Sequence, residues 1–158
     1  MRLIVTPATE RQAESIGRNL RAADNLEVLT SSGGKEPAVV LRDSFRASKE
    51  CYAIKIAHEG GMPCAIFGVA DDPTVEGLGV IWMLCTKAIE RCPIALVKVA
   101  LGWIDHMARH YPLGLHNIAD ARNDLHIRWA KLSGFTEVGA VELNGHRFIH
   151  IYRESKHV

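Results

Sequence analysis

Apolar positions along this chain fall into runs whose spacing predicts the elements. Residues 79–86 read Gly-Val-Ile-Trp-Met-Leu-Cys-Thr, apolar on both faces, the pattern of a central strand covered on each side. Residues 93–110 carry Ile94, Leu96, Val97, Val99, Leu101, Trp103, Ile104 and Met107 round most of a helical circumference, which predicts a buried helix opened by Pro93. A polar loop, 87–92, joins the two. After Tyr111-Pro112 comes a short strand, 115–119. A helix over 123–133 follows, with Leu125, Trp129 and Leu132 turned inward and Gly134 as its stop.

The flanks of this core are patterned more locally. Leu3-Ile4-Val5 is a strand ended by Pro7. Thr9 and Gln12 form a capping box, Glu10 places a carboxylate in the first turn, and Ala13, Ile16 and Leu20 make the stripe of a helix over 9–23. Residues 24–35 read as a loose connector, most polar at Thr30-Ser31-Ser32-Gly33-Gly34-Lys35. Pro37 opens a second helix that ends near Lys49, with Val40, Leu41, Ser44 and Phe45 inward. Strands 51–58 and 62–70 turn at Glu59-Gly60-Gly61, and strands 137–143 and 147–153 at Asn144-Gly145. The order β-α-α-β-β-β-α-β-α-β-β predicts an α/β (α+β) fold: a mixed, mostly antiparallel sheet of about seven strands with helices on both faces.

Composition narrows the class. The 158 residues suit a single domain, 1–158, with 47% hydrophobic and 23% charged residues. A net charge of +1 gives no overall reason to expect nucleic acid or an anionic membrane as partner. No run approaches the roughly 18–20 apolar residues of a membrane span, and the apolar run at 3–5 is too short for a signal peptide. Cys51, Cys64, Cys85 and Cys92 lack CxxC spacing, so reduced thiols and a cytoplasmic location are expected.

Isolated motifs add little chemistry. Gly33-Gly34-Lys35 lacks the rest of a phosphate-binding loop. His106 and His110 share a helix face without a HExxH carboxylate, so they read as solvated and no metal is expected. Cys92, at a helix start, and Cys85 are conceivable nucleophiles but read more simply as a cap and a core residue. Arg122, Arg128 and Lys131 beside Trp129 form a basic patch too short to predict nucleic-acid binding.

The element order and one set of residues resemble the GNAT superfamily of acyl-CoA-dependent N-acyltransferases. The residues are Trp82, Thr86, Pro93, Tyr111-Pro112, Asp120-Ala121-Arg122-Asn123, Ile127-Arg128-Trp129 and Gly134-Phe135, with Arg42-Asp43-Ser44 and Ala65-Ile66-Phe67-Gly68-Val69 upstream. Within the superfamily the chain is similar to a phage and prophage group that includes the internal core protein A of T7-like phages. The resemblance implies transfer of an acetyl group from acetyl-CoA to an amine. It implies alternatively a non-catalytic role in virion assembly or host interaction, in a virion or a host cytoplasm, with phage structural proteins as partners; a homodimer is compatible with either.

It further implies a parting of strand 79–86 from strand 115–119. Leu84, Cys85 and Thr86 would meet the pantetheine arm, Leu84 or Cys85 supplying an oxyanion amide. Lys87, Arg91 and the amides of Ile94 and Ala95 would meet the pyrophosphate, and Asn123 would stand beside the pantetheine. Glu76 and His116 are the candidate general bases, and the acceptor would enter past residues 30–35 and the Asn144-Gly145 turn. Two features depart from the family pattern: the loop Lys87-Ala88-Ile89-Glu90-Arg91-Cys92-Pro93 has no glycine to wrap phosphates, and Ala130 stands where a tyrosine often serves as acid.

Overall fold

A computed structural model describes residues 2–155. In chain order the strands are β1 (Leu3–Pro7), β2 (Glu50–Ile56), β3 (Ala65–Asp71), β4 (Leu78–Cys85), β5 (Gly114–Asp120), β6 (Thr136–Leu143) and β7 (His146–Arg153). The helices are α1 (Glu10–Gly17), α2 (Ala22–Ser31), α3 (Pro37–Ala47), α4 (Pro93–Ala108) and α5 (Asp124–Leu132), with a 3-10 turn at Lys87–Arg91. The seven strands form one sheet, ordered β1-β2-β3-β4-β5-β7-β6. Every neighbouring pair is antiparallel except β4 and β5, which run parallel.

Alternation along the strands sorts side chains between two layers. Phe67, Val69, Leu115, Ala119 and Ile151 face α4 and α5, where Leu96, Ala100, Ile104, Met107, Trp129 and Ala130 complete the larger core. Ile66, Trp82 and Leu84 face the opposite way and pack with Ala13 and Ile16 of α1, Val28 of α2 and Leu41 of α3. No helix among the described residues is long and apolar enough to cross a membrane.

The helical region before β2 differs from the expected pair. The capping box forms as predicted, Gln12 N donating to Thr9 Oγ1 and Thr9 N to Gln12 Oε1. The helix stops at Gly17, however, because Leu20 bridges to Thr86 and the amide of Arg21 donates to Cys85 O at 2.9 Å. The chain restarts as α2 across most of the supposed connector, with Asp24 in its first turn and Asp24, Glu27 and Val28 buried. Buried carboxylates on one face hide the helical stripe from an apolar count. Leu132 also departs from expectation: it is 59% exposed, while Trp129 carries the inward face of α5.

Candidate active site at the parting of two strands

β4 and β5 pair at only three positions, Leu78 with Gly114, Gly79 with Leu115 and Val80 with His116. Beyond these, β4 stays on β3 as far as Cys85 and β5 stays on β7 as far as Asp120, so the two strands diverge. Strand alternation determines which backbone groups line the opening. Thr86 N donates to Cys64 O, so the backbones of Thr86, Leu84 and Trp82 address β3, while those of Ile81, Met83 and Cys85 address the gap. This corrects two sequence assignments, because Leu84 and Thr86 have no amide to offer there. Asn117 extends the ladder by one side-chain rung: its Nδ2 donates to Ile81 O at 2.5 Å and its Oδ1 accepts from Ile118 N at 2.7 Å. Met83 is next, its amide and carbonyl turned into the opening with no strand opposite.

The far ends of the parted strands are held by α2. Asp24 Oδ2 accepts the amide of Cys85 at 2.9 Å, and Glu27 Oε1 accepts the amide of Asp120 at 2.9 Å. These carboxylates sit one turn apart and therefore on one helix face. Asn123, 2% exposed, lies between them; its Nδ2 donates to Asp24 Oδ1 and to Glu27 Oε2, both at 2.8 Å. Arg21 Nη1 donates to Asp24 Oδ1 at 2.6 Å and to Asn123 Oδ1 at 3.2 Å. The guanidinium lies 5.9 Å from the Trp129 ring centroid, and its buried Nε has only Glu90 nearby, at 3.5 Å. Asn123 is thus the clamp of a buried network and not a free group awaiting a ligand.

Charge in this network is balanced. His126 Nδ1 lies 3.1 Å from Glu27 Oε2. Burial works against an imidazolium here, but the charge and hydrogen bond of Glu27 outweigh it and push His126 up to about 9. Burial likewise opposes the Glu27 carboxylate, and His126 with the bonds from Asp120 N and Asn123 holds it below its ordinary value. Near neutrality two cations, Arg21 and His126, face two anions, Asp24 and Glu27.

On the α4 and α5 side the opening leads into a narrow apolar channel lined by Ile81, Met83, Val97, Ala100, Trp103 and Ala130, with a cavity volume of about 70 Å3. Ala130, with only a methyl for a side chain, leaves part of this width. The loop expected to hold phosphates is less open. Ile89 N donates to Thr86 O and Cys92 N to Ile89 O, so the 3-10 turn takes up its later amides within itself. Arg91 is committed to Glu59 through two bonds of 2.8 and 2.9 Å. Exposed Lys87 and the amides of Ile94 and Ala95, in the first turn of α4 where no intrahelical acceptor exists, are donors open at this loop, as is the amide of Ala88 at the start of the 3-10 turn.

The two candidate bases are placed differently. Glu76 is exposed in the turn before β4, at the paired end of the β4–β5 ladder and away from the opening. His116 sits on the last rung. Its Nε2 is 2.7 Å from Asp72 Oδ2 and its Nδ1 is 2.9 Å from His150 Nε2, so both ring nitrogens are engaged. Asp72 and His150 carried no sequence signal, although His150 alternates with inward Ile149 and Ile151 on β7.

Other candidates resolve into structural roles. Burial pushes the Cys85 thiol far up, Cys64 to about 11, Cys51 to about 12 and Cys92 above its ordinary value, so none is a thiolate near neutrality. His106 and His110 are not merely solvated; they lie 2.9 and 3.0 Å from the two oxygens of Glu50. Arg122 is held by Asp120 at 2.7 Å and also donates to Thr30 Oγ1. The β6–β7 turn reaches α2 through Asn144 Nδ2, which donates to Thr30 O at 2.7 Å.

The sequence matches no protein-family model and no curated protein. Solved structures resemble it closely in shape. Ard1 from Thermoplasma volcanium aligns with a TM-score of 0.71 and 13% identity over 99% of this chain and 100% of that one. AAC(6′)-Ib, in complex with ribostamycin and coenzyme A, aligns with a TM-score of 0.69 and 12% identity over 98% and 94%. An acetyltransferase of the GNAT family from Streptococcus pneumoniae aligns with a TM-score of 0.63 and 14% identity over 98% and 99%. At these identities the likeness is one of architecture: the chain has the GNAT fold, a seven-stranded, mostly antiparallel sheet that opens between β4 and β5.

Proposed function

We propose that the chain is an acyl-CoA-dependent N-acyltransferase that carries an acetyl group from acetyl-CoA to an amine. The observation that carries this reading is the parting of β4 from β5, with the backbone of Met83 turned into an apolar channel. A pantetheine arm consists of amides and methylenes. The carbonyl of Met83 can accept an amide N–H of the arm, the channel wall can take the methylenes, and the start of α4 with Lys87 can meet phosphate. The acceptor amine approaches from the opposite face, where Thr30, Arg122 and Asn144 converge. Its nitrogen attacks the thioester carbon, a C–N bond forms, the C–S bond breaks and the thiolate leaves. The amide of Met83 is the donor available to the oxyanion, since that of Cys85 is held by Asp24. With alanine at 130 no side-chain acid stands there, and the thiolate takes the proton that the nitrogen loses after attack.

Calorimetric titration with acetyl-CoA tests the reading, with Val97→Trp as the variant that fills the channel mouth. Asn123→Ala is a poor control because it opens the buried network. Binding at tens of micromolar or better, weakened at least tenfold by Val97→Trp, is the expected result. No heat and no thermal shift at about a millimolar ligand would sink it, because a ligand well above its dissociation constant must stabilise the fold.

A second reading, a non-catalytic phage assembly or host-interaction protein that keeps the fold, is favoured by the strand-end amides already taken by Asp24 and Glu27 and by the glycine-free loop. Phage or prophage origin rests on the sequence resemblance. Absence of acetyl-CoA binding in the titration would favour this reading.

A further inference from the structure

We infer that His150 is the group that takes the proton from the acceptor amine, kept in its proton-accepting form by a relay through His116 to Asp72. The inference rests on the acyltransferase reading above and names the base within that site.

Hydrogen-bond geometry fixes the direction of the relay. Asp72 Oδ1 accepts from Thr74 N and Val75 N, both at 2.9 Å, and from Thr74 Oγ1 at 3.0 Å. These bonds, the backbone ones foremost, hold the carboxyl well below its usual range, so Asp72 is an acceptor only. His116 Nε2, 2.7 Å from Asp72 Oδ2, must therefore carry hydrogen. A neutral His116 then has its lone pair on Nδ1, which accepts His150 Nε2–H at 2.9 Å. The lone pair of neutral His150 is thereby assigned to Nδ1, which has no hydrogen-bond partner among the described residues. Burial first, and His116 second, keep His150 below the ordinary histidine value and so neutral near pH 7.

Position supports the role. Leu115 and Ala119 pack toward α4 and α5, and Asn117 lines the channel there, so His116 and Ile118 face the other side of the sheet. His116 occupies the last rung of the β4–β5 ladder, and His150 lies opposite Ile118, two residues further into the opening. An extended arm anchored at the start of α4 and running back from Cys85 to Ile81 covers about 13 Å. It delivers a thioester to the vertex of the parting, one strand from this pair. The charged or titratable neighbours are Asp72 from the β3–β4 turn and Tyr152, cross-strand from His116 with its hydroxyl donated to Leu113 O. On β6 the residue opposite His150 is Gly139, which adds no charge.

In the step itself, His150 Nδ1 takes one proton from the acceptor ammonium and frees the lone pair that forms the C–N bond. The His150 Nε2 proton can pass to His116 Nδ1, which leaves the positive charge beside Asp72. The proton lost from nitrogen after attack goes to the departing thiolate, and the relay returns its own proton to water.

Two measurements on the full chain test this. Imidazole nitrogen NMR across a pH titration should find His116 protonated on Nε2 and His150 titrating below an ordinary histidine; His116→Gln should move that titration upward. An ordinary titration of His150, or one indifferent to His116→Gln, overturns the relay whatever acetyl-CoA does. With an amine found to be acetylated, His150→Gln should lower kcat by about 100-fold while leaving KM for acetyl-CoA unchanged and removing the acidic limb of the pH profile. A variant with wild-type kcat and pH profile overturns the assignment. The readings fail separately: missing acetyl-CoA binding removes the acyltransferase and the catalytic role together, whereas intact turnover in His150→Gln removes the role alone.

Discussion

The side-chain amide of Asn123 donates to two carboxylates at once in a site closed to water. Asn123→Ala strips a donor from both Asp24 and Glu27, which should cost on the order of 2–3 kcal/mol in urea unfolding, with no thiol or ligand involved. The same cluster makes stability depend on pH. His126 has a folded value raised to about 9, so its contribution is fully present below the unfolded value of about 6.5 and is lost as pH rises through about 9. Unfolding free energy should therefore decline from pH 6.5 to 9.5, and His126→Gln should flatten that decline. The thiols give a simpler expectation: with burial holding all four above their ordinary values, iodoacetamide at pH 8 should label the native chain slowly and the urea-unfolded chain fast. At this scale the sequence was legible where a role is local, as for the Thr9–Gln12 box. It was silent where partners lie far apart in the chain, as Asp24 and Cys85 do, or Asp72 and His116.

Elements are governed by stripes, and stripes can mislead when charge is buried. The apolar helix α4 and the Asn144-Gly145 hairpin were readable because their signals are contiguous. The second helix before β2 was not: Asp24 and Glu27 occupy its inward face, and a count of apolar positions reads that face as solvent. Close approach between elements was hidden too. A Cβ on Gly17 would stand 2.6 Å from the Cα of Ala38, at the crossing of α1 and α3. In an exposed helix, glycine to alanine would stabilise by roughly 1 kcal/mol. Here the clash reverses the sign, and Gly17→Ala should lower stability by about 1–3 kcal/mol as the helices are forced apart. Thermal unfolding of that single variant checks both sign and size.

For the whole molecule, topology was legible because hairpins and one parallel crossover leave few ways to order seven strands. The parting of β4 from β5 was anticipated by resemblance; how the chain sustains it was not. Asp24 and Glu27 cap amides at the two strand ends, Arg21 N takes the carbonyl of Cys85, and Asn117 fills one rung by side chain. A sheet opened this way keeps the backbone groups at its parted ends satisfied without a guest and leaves those of Met83 open. A guest that enters gains few new polar contacts, chiefly at Met83, and gives up water mostly from methylenes against the channel wall. The calorimetric signature should follow: a small enthalpy near 25 °C and a distinctly negative heat-capacity change, with affinity tracking the apolar surface covered more than the amides offered.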